Sequence, residues 1–139
     1  MRLPQSARAL IGSGANATLV TLNADGSPHV SVVWVALQAG DTGDELVSAH
    51  LAEYRKIRNV RREPRVAVTV LAPGSGELMT PYLSITGTAR IVEGGAPELL
   101  TQLADALAPG AAFPPPDAPP GYLTRIAVDT VGGIGPWAS

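Results

Sequence analysis

The stretch ATLVTLNADGSPHVSVVWVAL, residues 17–37, has the pattern of two β-strands joined by a tight turn. Its first part, residues 17–23, alternates leucine and valine with threonine, which is typical of a strand. Residues 24–27, Ala-Asp-Gly-Ser, predict a hairpin turn because glycine after aspartate readily takes a positive φ. Pro28 then begins a second strand, a position at which proline is tolerated.

The second strand, residues 28–37, is apolar on both faces, because side chains alternate across a strand. One face carries Val30, Val32, Trp34 and Ala36, and the other carries Ser31, Val33, Val35 and Leu37. We expect one face to line a barrel and the other to pack against a second surface. A chain of 139 residues has little helix with which to cover the second face, so the pattern predicts that a second copy of the chain covers it.

The remaining sequence predicts four further strands and three short helices. The strands are expected at 45–50, 65–71, 79–92 and 123–131, and the helices near the N-terminus, at 51–63 and at 96–107. Turns or loops are expected at 38–44 and 73–76, and Gly87 is expected to mark a bulge. The short connections exclude repeated βαβ units. We therefore predict a mainly β, α+β fold: one domain, 1–139, built as a small antiparallel six-stranded barrel.

Composition limits the class of function. The net charge is −2 and the pI about 5.6, which argues against a nucleic-acid partner. The absence of cysteine excludes disulfides and thiol chemistry, and fits a cytoplasmic protein. No apolar run is long enough to span a membrane. No His, Asp and Glu cluster has metal-ligand spacing, so no metal site is expected.

The segment RKIRNVRREPR, residues 55–65, contains six of the ten cations of the chain. Arg55 and Lys56 lie at the start of a predicted helix, where a cation opposes the helix dipole. An anion bound there would compensate, because free N–H groups, an arginine fork and a lysine converge on one phosphate. We therefore predict that Arg55 and Lys56 bind a phosphate. Arg58, Arg61 and Arg62 are expected to pair with Glu53 and Glu63 on the surface.

Other candidate residues carry weaker signals. His50 ends the third strand just before the basic helix, where it either contacts a ligand or has no role. His29 is expected to be exposed at a loop edge. The sequence contains no Ser, His and Asp order that supports a catalytic triad. Catalysis would therefore depend on a bound cofactor, and no side chain is assigned a catalytic role. The segment 109–121, PGAAFPPPDAPPG, is read as a stiff surface loop or site wall, with a polyproline ligand as the alternative.

Four segments together resemble a known family. They are ATLVTLNADGSPHVSVVWVAL (17–37), LVSAHLAEYRKIRNVRREPRVAVTV (46–70), TPYLSITGTARIVE (80–93) and GGIGPW (132–137). In this order they resemble the split β-barrel family that includes pyridoxamine-phosphate oxidases. They look most like its actinobacterial branch of coenzyme F420-dependent oxidoreductases. The resemblance implies a split-barrel homodimer with the cofactor in a groove at the subunit interface.

The resemblance also implies site residues. Arg55 and Lys56 match the pair that holds the cofactor phosphate, and Asn59 belongs to the same stretch. The strand carrying Ser31, Val32, Val33 and Trp34 matches the one beside the isoalloxazine-type ring. Ala49 and His50 match residues near the ribityl-phosphate arm. Tyr82 matches a position that reaches the site from the long strand, either of the same chain or of the partner subunit.

The implied activity is hydride transfer between coenzyme F420 and a small unsaturated or conjugated molecule. FMN is the alternative cofactor, and a non-catalytic cofactor or haem carrier is the alternative function. Flavin-binding oxidases carry Arg where this chain has Ser31 and Lys where it has Ala36. Their C-terminal substrate-binding Arg and His have no counterpart here. These departures argue against pyridoxamine-phosphate oxidation, and apolar contacts from Val33 and Trp34 suit a deazaflavin.

Overall fold

The computed structural model of the chain describes residues 1–73 and 78–138. Six antiparallel strands form a closed barrel in the order β1-β2-β3-β6-β5-β4, which confirms the predicted six-stranded antiparallel barrel. The strands are β1 Ala15–Leu22, β2 Pro28–Gly40, β3 Gly43–His50, β4 Arg65–Leu71, β5 Tyr82–Glu93 and β6 Tyr122–Ile134. The helices are α1 Gln5–Ile11, α2 Arg55–Arg62 and α3 Ala96–Leu107. Within the loop predicted at 73–76, residues 74–76 lie outside the described residues.

The β1–β2 hairpin forms as the sequence predicts. The N–H of Asn23 donates to the Ser27 carbonyl at 2.8 Å, and Gly26 has φ of 86°. The next turn is much shorter than the predicted 38–44. Cross-strand pairing continues through Gln38↔Glu45 to Gly40↔Gly43, which leaves only two residues to reverse the chain. Arg125 favours this extension because it donates to both Gln38 and Glu45.

The barrel core is aliphatic. Alternate residues of every strand point inward, and the fully buried ones include Leu19, Val35, Leu46, Ile85 and Ile126. A second, smaller cluster lies outside the barrel under α3, where Leu99 and Leu103 pack against Ala36 and Val47. Because β2 contributes to both clusters, this half of the strand is buried on both faces.

The middle of β5 contains the irregularity predicted at Gly87. The register with β6 shifts between Thr86 and Gly87. A Cβ at Gly87 would lie 2.5 Å from Ile126 Cγ2 and 2.6 Å from the Ala127 carbonyl oxygen, so only glycine fits. The strand begins at Tyr82, three residues later than predicted, because its partner β4 ends opposite it at Leu71.

Helix α2 packs against β1 and β5 at the end of the barrel that carries the β1–β2 turn. Ile57 and Val60 are buried beneath it. Asn59 is also buried, and its Nδ2 donates to Thr21 Oγ1 at 3.1 Å and to Asn23 Oδ1 at 3.0 Å. These bonds fix the helix relative to the hairpin. The described residues include no helix that is long and apolar enough to cross a membrane.

The outer face of β2, β1 and β4 is uncovered over part of its area. Val30, Val32 and Leu71 expose 61%, 70% and 69% of their surface. Val20 and Ala67 lie in one row with Val30, and Thr18 and Thr69 lie between Val32 and Leu71. Within residues 1–73 and 78–138, the expected cover on both faces of β2 is therefore present near Trp34 and Ala36 but not at Val30 and Val32. We call this surface, Val20, Val30, Val32, Ala67 and Leu71, the uncovered sheet face.

Candidate functional site

The barrel opens between β2 and β3. Their pairing runs from Gly40↔Gly43 to Ala36↔Val47 and stops there, although β2 extends back to Pro28 and β3 continues to His50. A cleft of about 380 Å³ occupies this opening, which we call the split cleft. It is lined by Val32, Val33, Trp34, Ala49, His50, Tyr54, Lys56, Leu100 and Phe113.

One end of the split cleft is polar and lies at the start of α2. Lys56 is half-buried, and its Nζ is 4.9 Å from the centre of the Tyr54 ring. Burial lowers the pKa of Lys56, and among the described residues no carboxylate lies within ion-pair distance of it. The first turn of α2 has no acidic residue and no side-chain cap. This end is therefore suited to a bound anion.

His50 lies beside Lys56 with its imidazole almost fully buried. Its Nε2 is 3.1 Å from both Ser48 Oγ and Thr124 Oγ1. Burial, and secondarily the charge of Lys56, lowers the pKa of His50 to about 4. The imidazole is therefore neutral at physiological pH, and it can donate or accept a hydrogen bond but carries no charge.

The other end of the split cleft is apolar. Trp34 from β2 and Phe113 from the proline-rich segment meet edge to face, with ring centres 6.2 Å apart and planes at 86°. Leu100 of α3 completes this wall. Phe113 thus places the proline-rich segment at the cleft, whereas Pro119 and Pro120 line a different cleft beside Glu53 and Tyr122.

A second cleft, of about 530 Å³, lies on the opposite side of α2, and we call it the arginine cleft. Its lining includes Arg55, Arg58 and Arg62, together with Asn59 and the β1–β2 turn. Arg55 is exposed, and it faces this cleft while Lys56 faces the other. Adjacent residues on an α-helix point about 100° apart, which is why two neighbouring cations separate in this way.

The remaining cations of the segment are partly paired as predicted. Arg61 Nη1 is 2.9 Å from Glu53 Oε1, which confirms that pair. Glu63 instead pairs with Arg65 at 2.6 Å. Arg62 does not follow the prediction: its Nη2 donates to the Leu22 carbonyl and to Asn59 Oδ1. Arg58 donates to the backbone carbonyl of Glu53.

The structure brings six of the ten sequence-predicted site residues together in the split cleft. They are Val32, Val33, Trp34, Ala49, His50 and Lys56. The side chain of Val33 belongs to the barrel core, so it lines the cleft only in part. Arg55 and Asn59 line the arginine cleft, and Asn59 is already bonded within the fold.

Ser31 and Tyr82 lie elsewhere in the chain. Ser31 is paired with the fully buried Leu19, on the inward face of β2, and its Oγ is buried without a partner. His29 lies two residues earlier in the same strand; it is half-buried, not exposed as predicted, with its Nδ1 similarly unpaired. Tyr82 pairs with Ile134 at one end of β6, whereas His50 pairs with Tyr122 at the other. Tyr82 does not line the split cleft of its own chain.

Sequence reasoning missed three residues of the cleft: Tyr54, Leu100 and Phe113. Tyr54 precedes the basic helix, and its position as the residue before Arg55 was the available signal. Leu100 has the pattern of an ordinary helix-packing leucine. Phe113 is the only phenylalanine of the chain and lies in the segment predicted to form a wall.

A closed antiparallel barrel that opens between two neighbouring strands defines the split-barrel class. Residues 3–134 match the family described as pyridoxamine 5'-phosphate oxidase, and the chain belongs to this family. No curated protein matches the sequence.

Solved structures share the fold at low identity. A protein named F420 reductase is 23% identical, with a TM-score of 0.76 over 94% of this chain and 98% of its own. A conserved hypothetical protein from Mycobacterium tuberculosis is 23% identical, with a TM-score of 0.71 over 96% and 85%. HutZ, a heme storage protein from Vibrio cholerae, is 19% identical, with a TM-score of 0.60 over 97% and 96%.

Proposed function

We propose that the chain binds coenzyme F420 in the split cleft and transfers hydride between it and a small unsaturated or conjugated substrate. The observation that carries this proposal is the polarity of the cleft. An apolar wall of Trp34, Leu100 and Phe113 leads to Lys56 at the uncapped start of α2. A flat redox ring bearing a phosphate arm has the same distribution of polarity.

The ring would lie along β2 at the opening of the barrel. Val32, Val33 and Trp34 form that side of the cleft, and Ala49 offers a small residue opposite them. The cleft volume of about 380 Å³ falls within the ~300–1,000 Å³ range of small-molecule pockets. Apolar walls bind the ring faces and exclude water from them.

The phosphate would bind at the start of α2. Lys56 approaches it from the split cleft, and the free N–H groups of the first helical turn point toward it. Arg55 is exposed and lines the arginine cleft, so it would have to extend across the helix start to add a second contact to the phosphate. Lys56 has no carboxylate partner among the described residues, and burial lowers its pKa. A bound phosphate would therefore stabilise its half-buried charge through a charge-assisted hydrogen bond.

The deazaflavin supplies the hydride chemistry when bound. The residues of this chain would orient the ring, hold its phosphate and keep water from the reacting face. Among the described residues no carboxylate lines the split cleft, and His50 is neutral. We therefore expect a neutral or apolar substrate that is selected by shape.

Cofactor titration of the purified protein tests the proposal. F420, FMN and haemin are titrated separately, with deazaflavin or flavin fluorescence and haem absorbance as the readouts. Tight binding of F420 with reduction of an unsaturated substrate supports the proposal. Tighter binding of FMN than of F420 would identify FMN as the cofactor. F420 or haemin binding without turnover over a broad substrate panel would favour a carrier.

A further inference from the structure

His50 occupies the point where the β2–β3 opening meets the interior of the barrel. It is the last residue of β3, and its side chain shares the inward face with Ser48. Ser48 and Thr124 are paired directly across β3 and β6. Their two hydroxyls therefore meet the same ring nitrogen, His50 Nε2, each at 3.1 Å.

The two hydroxyls indicate which nitrogen of His50 carries the proton. Ser48 and Thr124 are both about 1% exposed, so their O–H groups need an acceptor inside the protein. Among the described residues, the side-chain bond recorded for each hydroxyl is the one to His50 Nε2. If Nε2 carried a proton, neither hydroxyl hydrogen would have this acceptor, whereas an unprotonated Nε2 offers its one lone pair to either hydroxyl. The arrangement therefore favours Nε2 as the acceptor and Nδ1 as the protonated nitrogen.

His50 Nδ1 is open to the split cleft. In the part of the chain that the structure describes, the buried side-chain atoms without partners are His29 Nδ1 and Ser31 Oγ. His50 Nδ1 is not among them, and the hydrogen bonds of the imidazole all use Nε2. Since His50 lines the cleft, the accessible edge of the ring is the one that carries Nδ1.

We propose that neutral His50 donates its Nδ1–H to an acceptor oxygen of the bound cofactor and so positions it in the split cleft. This inference rests on the proposed function, and it assigns an atom, a protonation state and a role to His50. Lys56 beside it supplies a charge without direction, whereas a fixed N–H donor requires an oxygen at one place. His50 is thus a positioning residue that determines which cofactors fit.

The two amide replacements of His50 provide a matched pair of variants. In His50→Asn an amide group stands where Nδ1 stood, and in His50→Gln it stands near the position of Nε2. We expect His50→Asn to keep F420 affinity within about threefold of the wild type. His50→Gln should weaken it about tenfold, the loss expected for one hydrogen bond to a bound ligand. Melting temperatures of both variants verify that they fold.

Nitrogen NMR tests the protonation state without any cofactor. The chain has only two histidines, so a His29→Gln variant assigns the His50 signals of ¹⁵N-histidine-labelled protein. We expect Nδ1 to be protonated and Nε2 unprotonated from pH 6 to pH 8. A double variant, Ser48→Ala with Thr124→Val, should lose this preference and populate both tautomers.

The two experiments separate the possible failures. Protonation of Nε2 in the wild type would overturn the assignment of His50, whichever cofactor binds. Retention of affinity in His50→Gln together with loss in His50→Asn would also overturn it. If the wild type binds neither F420 nor FMN, the proposed function itself is wrong, and the role of His50 in positioning a cofactor is wrong with it.

Discussion

Lys56 is the residue on which cofactor affinity should depend most. Its half-buried ammonium group faces the split cleft and has no carboxylate partner among the described residues. Replacing the cationic partner of a bound phosphate should cost about 1.5–3 kcal/mol, or roughly ten- to a hundredfold in affinity. We therefore expect Lys56→Ala to weaken F420 binding by that factor, measured by fluorescence titration. Unchanged affinity would place the phosphate elsewhere.

The control for this experiment is Arg61→Ala. Arg61 pairs with Glu53 on the surface and lines neither the split cleft nor the arginine cleft, so its loss should change affinity less than about twofold. Arg62, which the sequence predicted to form only a surface ion pair, is less suitable as a control. It bonds to the Leu22 carbonyl and to Asn59, so its removal would disturb the attachment of α2.

Asn59 is expected to affect stability more than binding. Its buried amide bonds to Thr21 and Asn23, and these contacts fix α2 to the first hairpin. Removing the amide leaves the buried Thr21 hydroxyl without that donor. We expect Asn59→Ala to lower the free energy of unfolding by about 1–3 kcal/mol in urea denaturation. The same variant should bind F420 with nearly normal affinity below the denaturation range, and a loss of affinity without a loss of stability would contradict this division.

At the scale of elements, α1 is fastened to the β2–β3 hairpin by one buried carboxylate. Asp44 accepts hydrogen bonds from the Leu3 N–H at 2.8 Å and from Arg8 Nη1 at 2.5 Å. Burial alone would raise the pKa of Asp44, but the bonds from Arg8 and Leu3 outweigh it and the pKa is lowered. A lowered pKa means that Asp44 contributes stability above the pKa of an unfolded aspartate, about 3.9, and loses it as the pH falls through the folded value.

The variant Asp44→Asn tests this attachment because asparagine has no proton to bind in that range. We expect the wild type to be more stable than Asp44→Asn at pH 7 by about 1–3 kcal/mol. The difference should shrink as the pH falls from 5 toward 3, in urea denaturations at each pH. A difference that does not change with pH would show that the carboxylate charge does not contribute.

The proline-rich segment should influence substrate more than cofactor. Phe113 is 41% exposed and touches Trp34 at the apolar end of the split cleft, away from Lys56. We expect Phe113→Ala to raise the KM for apolar substrates about tenfold, since removing apolar contacts costs ~1–3 kcal/mol. F420 affinity should stay within about threefold. Phe113→Leu serves as the control. If the fold loss of cofactor affinity exceeded the fold rise in KM, Phe113 would contact the cofactor and not the substrate.

Most elements follow from local patterns, and the errors have a common cause. The hairpin at 24–27 and α3 depend on residues close together in sequence. The bulge at Gly87 was predictable from a glycine inside a strand pattern, although its close contacts come from β6. The strand ends at Gly40 and Tyr82 depend on where a partner strand ends, which no local pattern contains. The split cleft likewise forms from β2, β3, α2, α3 and Phe113, so Tyr54 and Leu100 gain their role only from the tertiary fold.

At the scale of the whole molecule, the uncovered sheet face predicts self-association. Val30, Val32 and Leu71 are each more than half exposed on the same outer face, where Thr18 and Thr69 lie between Val32 and Leu71. Exposed apolar side chains grouped on one face are typical of an interface. We expect the chain of 14.3 kDa to sediment as a dimer at micromolar concentration. Val30→Lys combined with Leu71→Lys should give a monomer, and Val92→Lys on β5, 37% exposed, should not.

The position of Tyr82 connects the expected dimer to the proposed cofactor site. Tyr82 pairs with the end of β6 opposite to the one that pairs with His50, and it does not line the split cleft of its own chain. We therefore expect that Tyr82 contributes to the cleft of a second copy. If it does, Tyr82→Ala should weaken F420 binding about tenfold in the dimeric protein. The same substitution should have no effect in the Val30→Lys, Leu71→Lys background, where the affinity is already reduced. Equal losses in both backgrounds would show that Tyr82 acts within its own chain through the fold, and that the dimer does not complete the site.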